Sequence, residues 1–142
     1  MRPYYTEIWS LLFLKQALTG WIIGGFSILI GGFGIANIMF VSVKERTNLI
    51  GIQKALGAKK YTILTQFLAE AAALAVVGGA IGIFMVFLVV AAIGSNESFP
   101  MQLTAYNVIR GLVISSVIGI VAGFVPAYTA ANLNPVEAIN SK

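Results

Sequence analysis

Five glutamates, Glu7, Glu45, Glu70, Glu97 and Glu137, are the whole acidic stock of a 142-residue chain that contains no Asp, no His and no Cys. That inventory removes most chemistry at once. Zinc sites of the usual kinds draw on Cys and His, and Ser–His or Cys–His catalysis needs an imidazole beside the nucleophile. A disulfide is impossible. A metal site or an acid–base pair would have to assemble from glutamates scattered along the chain. We therefore expect no catalytic residues, no cofactor and no metal held by this chain.

Two polar residues stand inside long apolar stretches, Asn37 and Glu70. A charge at the centre of a membrane-spanning helix costs roughly 2.5–3.5 kcal/mol, so Glu70 should face protein or be protonated. One reading is an ion or proton pathway. The other is an interhelical hydrogen bond, with Gln66 one turn away as a further partner. Along the sequence Glu70 is a carboxylate without a basic partner, which makes a poor relay and favours the second reading. The cluster Gly31-Gly32-Phe33-Gly34 fails as a phosphate-binding loop, because no Lys-Ser or Lys-Thr follows it and it lies within an apolar run. It could make a flexible point in a helix or a closely packed one, and its residue types do not choose.

The elements that must position these residues are set by charge. Hydrophobic residues make up 58% of the chain and charged ones only 10%, well under half of the roughly 25% usual in soluble domains. Gln16 to Val43, Ala71 to Asn96 and Gly111 to Val136 carry no charge over 28, 26 and 26 residues. A bilayer core is crossed by about 20 helical residues. The expected architecture is an all-α membrane protein with three transmembrane helices at 18–43, 61–93 and 106–128, with Arg110 snorkelling to the interface. The opening segment, with Glu7, Trp9 and Lys15 ahead of a long apolar run, does not resemble a cleavable signal peptide.

Orientation follows from lysine and arginine in the short connections. The segment 44–60 holds Lys44, Arg46, Lys54, Lys59 and Lys60 against the single acid Glu45, whereas 94–105 holds only Glu97. Segment 44–60 and the C-terminal tail are thus expected in the cytoplasm and the N-terminus outside. An outside N-terminus without a signal would be natural if another transmembrane helix once preceded it.

All three spans carry glycine pairs at four-residue spacing, Gly20 with Gly24, Gly78 with Gly82 and Gly119 with Gly123. In the third the series is unbroken: Gly111, Ser115, Gly119, Gly123, Ala127, Ala131. Small residues on one face let two helices approach closely in lipid, within one chain or between two. Between the first two spans, Leu49, Ile52 and Leu56 share the face of a short helix that Gly57 can end. Such a helix could lie on anionic headgroups or offer that face to a cytoplasmic partner. Pro126 should bend or end the third span. Asn134-Pro135-Val136-Glu137 then starts a short, exposed helix, with Asn134 as N-cap, Pro135 at N1 and Glu137 at N3.

The stretch Val41-Ser42-Val43-Lys44-Glu45-Arg46-Thr47, followed by Ile50-Gly51-Ile52-Gln53-Lys54-Ala55-Leu56-Gly57-Ala58-Lys59, closely resembles the FtsX-like permeases of MacB-type ABC transporters. Gly31-Gly32-Phe33-Gly34-Ile35-Ala36-Asn37-Ile38-Met39, Gln66-Phe67-Leu68-Ala69-Glu70-Ala71, Pro126-Ala127 and Asn134-Pro135-Val136-Glu137-Ala138-Ile139 fit the same pattern. The likeness covers about residues 20–140.

That resemblance implies the three C-terminal helices of a permease that normally has four, so the chain looks like an incomplete permease. Residues 1–19 look like the end of a stalk-like amphipathic approach to the membrane, and 20–140 like the permease domain. The resemblance further implies a homo- or heterodimer of permeases in the bacterial inner membrane, bound to two cytoplasmic ATPase subunits that hold ATP and Mg. The short helix would be the coupling helix, meeting the ATPase through Glu45, Arg46, Leu49, Ile52, Lys54, Leu56 and Gly57. Such transporters, of the mechanotransmitting type VII class, pass on nucleotide-driven motion and need not move substrate through their membrane helices. Membrane lipid is the other expected partner, and no nucleic acid is expected. A second possibility is a small non-catalytic membrane interaction protein that kept the permease fold and lost transport.

Overall fold

A computed structural model describes residues 3–93 and 104–140 of the chain. The described residues form five helices and no strand: α1 (Pro3–Glu45), α2 (Thr47–Ala55), α3 (Lys60–Ile93), α4 (Ala105–Asn132) and α5 (Pro135–Asn140). α1, α3 and α4 are long and apolar enough to cross a membrane. The connection holding Glu97 lies outside the described residues.

Two boundaries and one environment differ from expectation, each for a local reason. α1 is helical from Pro3, well ahead of the span expected to start at 18. Nothing between Pro3 and Glu45 breaks a helix except glycine, which costs only about 1 kcal/mol per residue. α4 runs through Pro126 to Asn132 rather than ending there. Proline removes one backbone donor, and the Pro126 ring is itself fully buried against the rest of the fold. α5 begins at Pro135 as expected, with the Ala138 amide donating to the Asn134 carbonyl at 2.9 Å. It is not simply exposed, because Ala138 is buried and α5 packs on α2.

The chain divides into two compact units, residues 1–31 and 32–142. The described residues of the first are helix alone. Its large side chains lie open, with Trp21 81% exposed and Phe26 63%. Gly20, Gly24 and Gly25 have nothing within 4 Å of where a Cβ would stand.

The second unit contains the packed part of the fold. α3 and α4 lie along each other through small residues on both sides. A Cβ built on Gly119 would fall 2.5 Å from the Ala75 Cβ and 2.8 Å from the Ala71 carbonyl oxygen, and one on Gly123 would collide with the Ala71 Cβ. Gly111 faces Ile83, and Gly79 faces Ser115. Every member of the α4 series Gly111, Ser115, Gly119, Gly123, Ala127, Ala131 is buried or half-buried. The matching face of α3 is Ala71, Ala75, Gly79 and Ile83, again at four-residue spacing. The pair singled out in the sequence, Gly78 with Gly82, faces open space instead. Alanine at two of the positions hides that face from a search for glycine alone.

The close approach is a packing effect. Lipid tails are as apolar as leucine, so helix association there rests on van der Waals contact between backbones rather than on removal of apolar surface from water. One end of the bundle adds a conventional cluster, in which Met39, Val43, Ile50, Ile63, Phe67, Ala71, Ala127, Ala130 and Ala131 pack together from α1, α2, α3 and α4. A Cβ built on Gly32 would stand at ordinary contact distance from Ala122 (3.8 Å) and Ile118 (4.0 Å), one on Gly31 or Gly34 would meet nothing within 4 Å, and α1 stays helical through the whole glycine cluster.

Candidate functional site: the α2 platform

α2 sits at the end of the bundle where α1 stops and α3 begins. A single non-helical residue, Arg46 (φ −99°, ψ 10°), separates α1 from α2. The Thr47 hydroxyl donates across that junction to the carbonyls of Val43 and Lys44, both at 2.9 Å. At the other end the Gly57 amide donates to the Lys54 carbonyl at 3.0 Å and the Ala58 amide to the Gln53 carbonyl at 2.9 Å. This is a Schellman closure. It requires a left-handed residue after the C-cap, and Gly57 adopts φ 96°. The glycine expected to end α2 does so.

The helix presents two faces. Ile50 and Gly51 are buried, and Lys54 is half-buried beside them. Leu49, Ile52 and Leu56 point the other way, 58%, 43% and 84% exposed. The shared apolar face read from the sequence therefore exists and is uncovered, while a different side of the helix holds it to the bundle. Glu45 and Arg46 flank the platform and are exposed.

Lys54 belongs to the anchoring side. Its Nζ donates to the carbonyl oxygens of Ala131 (2.7 Å) and Leu133 (2.6 Å). Helix C-termini leave carbonyls without intrahelical donors and carry partial negative charge, so the ammonium caps α4. Loss of solvation, then the nearby Lys60 charge, lowers its pKa from the ordinary value of 10.5. Lys60 donates from the first turn of α3 to the Asn132 side-chain oxygen at 3.1 Å. The end of α4 is thus capped by lysines from two other elements. Their partners lie more than 70 residues away in sequence, and nothing local signals the pairing.

Glu70 does have a basic partner. Arg46 Nη1 lies 3.3 Å from Glu70 Oε2, and the two side chains are 50% and 32% exposed. The carboxylate expected to stand alone is tied to the junction between α1 and α2, because the turn at 56–59 folds α3 back beside that junction. Asn37 is not part of this contact. It is exposed and lines a shallow depression on α1 with Ile38, Val41, Ser42 and Glu45. At the opposite end of α4, Arg110 lies over the Tyr106 ring, 4.2 Å from its centroid. No group of three or more His, Cys, Asp or Glu side chains gathers among the described residues.

Chemically, the platform is a binding surface. It is an exposed aliphatic triad on a short helix, rimmed by Glu45 and Arg46 and fixed from behind by hydrogen bonds and packing. Sequence comparison places it among known proteins. The profile of the family described as FtsX-like permease C-terminal matches residues 21–135. The macrolide export ATP-binding/permease protein MacB of Campylobacter jejuni is 44% identical over 117 residues, covering 82% of this chain and 18% of that protein. MacB of Rhodopirellula baltica is 44% identical over 120 residues, 84% of this chain and 18% of the relative. An uncharacterized ABC transporter permease of Bacillus subtilis, YknZ, is 44% identical over 117 residues, 82% of this chain and 30% of the relative.

Proposed function

Since the chain belongs to the FtsX-like permease family, in its C-terminal region, we propose that it acts as the membrane part of a MacB-type ABC transporter and relays ATP-driven motion of cytoplasmic ATPase subunits across the inner membrane. The chain spans 18% of the length of the MacB relatives and 30% of YknZ, so the activity proposed is that of an assembly to which it contributes one region. ATP and Mg are held by the ATPase, not by this chain. A second permease chain, identical or related, is the proposed neighbour within the membrane. The end bearing α2 faces the cytoplasm, in keeping with its five basic residues and the tendency of short basic connections to stay inside.

The observation that carries this reading is the outward aim of Leu49, Ile52 and Leu56 on a helix whose opposite side is anchored. A helix lying on headgroups as a lipid anchor would turn its aliphatic face into the acyl boundary. A helix that docks turns it toward a groove, as short amphipathic helices do when aliphatic side chains at i, i+3 and i+7 fill pockets. Relay of motion also suits the tight α3–α4 seam.

Co-purification with the ABC ATPase encoded nearest to this chain tests the proposal. Leu49→Asp combined with Leu56→Asp should abolish capture while the purified chain keeps its helical signal. Unchanged capture would overturn the docking role. Capture without any change in ATP turnover would instead support a non-catalytic interaction protein built on the permease fold.

A further inference from the structure

Exposed aliphatic side chains make a contact, but a contact passes on movement only if the helix carrying it cannot swing by itself. α2 is short, nine residues, below the length at which helices hold in water without tertiary support. It hangs between the Arg46 junction and the turn at 56–59. Besides the Arg46–Glu70 pair at its start, three attachments restrain it: the burial of Ile50 and Gly51, the packing of α5, and Lys54. The third differs from the others in kind. Apolar contacts allow sliding, whereas two short charge-assisted hydrogen bonds from one ammonium fix a point.

We infer that Lys54 is the positioning residue of the α2 platform: its ammonium pins the last turn of α2 to the carbonyl end of α4, so that thrust on Leu49, Ile52 and Leu56 enters α4 directly. The inference rests on the docking role proposed above for what the thrust is, but the pin itself is a property of the free chain. The load path is continuous. From Ala131 and Leu133 it runs up α4, whose small face meets α3 at Ala71 and Ala75 with no flexible side chain between the backbones. Lys60, bonded to Asn132 on the same end of α4, braces the start of α3. Arg46, paired with Glu70, is the lesser restraint at the other end of α2, because both side chains are substantially solvated. Lys59, exposed in the connection that follows α2, makes no such bond and serves as a lysine control.

Hydrogen exchange of the whole chain in lipid nanodiscs, without any ATPase, tests the pin. Lys54→Met keeps the stem and removes the donors. It should speed exchange of the amides of residues 50–56 by about tenfold, the scale of one charged hydrogen bond, while peptides from the α3–α4 seam keep wild-type protection. Lys59→Met should change neither. The chain has no Cys, so Lys54→Cys can be alkylated selectively: 2-bromoethylamine, which rebuilds an ammonium at nearly the same reach, should restore slow exchange, and iodoacetamide should not. Exchange of α2 within twofold of wild type in Lys54→Met would overturn the inference. So would equal loss of protection in α2 and in the seam, which would make Lys54 a general support of the fold. Because no ATPase is present, a failed capture experiment leaves this result standing, and a failed exchange experiment leaves docking open.

Discussion

Glycines four residues apart occur in the middle of α1 and in the middle of α4, and the two places ended differently. Gly119 and Gly123 are buried against Ala71 and Ala75, at distances where no side chain would fit. Gly20 and Gly24 have nothing within 4 Å. The spacing is the same, so spacing alone does not make an interface. What α4 has in addition is a second helix alongside it with its own small face in register, Ala71, Ala75 and Gly79. The lesson is that small residues permit approach, and the partner decides whether it happens.

Substitutions can break that contrast. Gly119→Leu should have the largest effect. A leucine there meets backbone as well as Ala75, which cannot rotate away, and overpacking of a close seam costs typically 1–3 kcal/mol and occasionally more. Loss of folded monomer on thermal denaturation in detergent is the expected readout. Gly79→Ala should cost less, about 1–2 kcal/mol on the same scale, because the Ser115 hydroxyl, 2.5 Å from the new Cβ, can turn away, although the Ser115 Cβ at 2.9 Å obliges a small shift of the helices. Next comes the Arg46–Glu70 pair. A double-mutant cycle of Arg46→Gln and Glu70→Gln should give a coupling of at most about 1 kcal/mol, as for other partly solvated single-contact ion pairs. Gly24→Leu should have the smallest effect, within about 0.5 kcal/mol on monomer stability. If Gly24→Leu destabilised the monomer as much as Gly119→Leu, the contrast between α1 and α4 would fail.

The pattern in α4 sharpens a second point. A loss of association for Gly119→Leu was foreseeable from sequence, but not whose association it would be. The series could have joined two copies of the chain, and it joins two helices of one. The same limit applied to α2. Periodicity showed that Leu49, Ile52 and Leu56 share a face, and the Gly57 stop was legible because a left-handed C-terminal residue is a local demand. Which face the bundle would keep was not legible, since it depends on Ile50 and Gly51 fitting a cluster built from α1, α3 and α4.

Charged residues were read least well, and for one reason. Glu70 was taken as unpaired because no base lies near it in sequence. Its partner is 24 residues away, across a turn. The resemblance implies Lys54 among the ATPase contacts, and nothing in the sequence shows that its ammonium reaches acceptors 77 and 79 residues distant. Long side chains choose partners by where their tips reach, and only the completed fold sets that.

By itself the sequence determined that the chain is helical and membrane-embedded, where its three spans lie and which connection is basic, because hydropathy and charge act residue by residue and need no neighbour. It also determined the stop at Gly57, which is a matter of backbone sterics. The tertiary structure alone decided which small-residue face is closed, which side of α2 is left open, and that Arg46 and Lys54 fasten that helix at its two ends. Those are relations between segments distant along the chain, and their energies exist only once the backbones have been brought within contact.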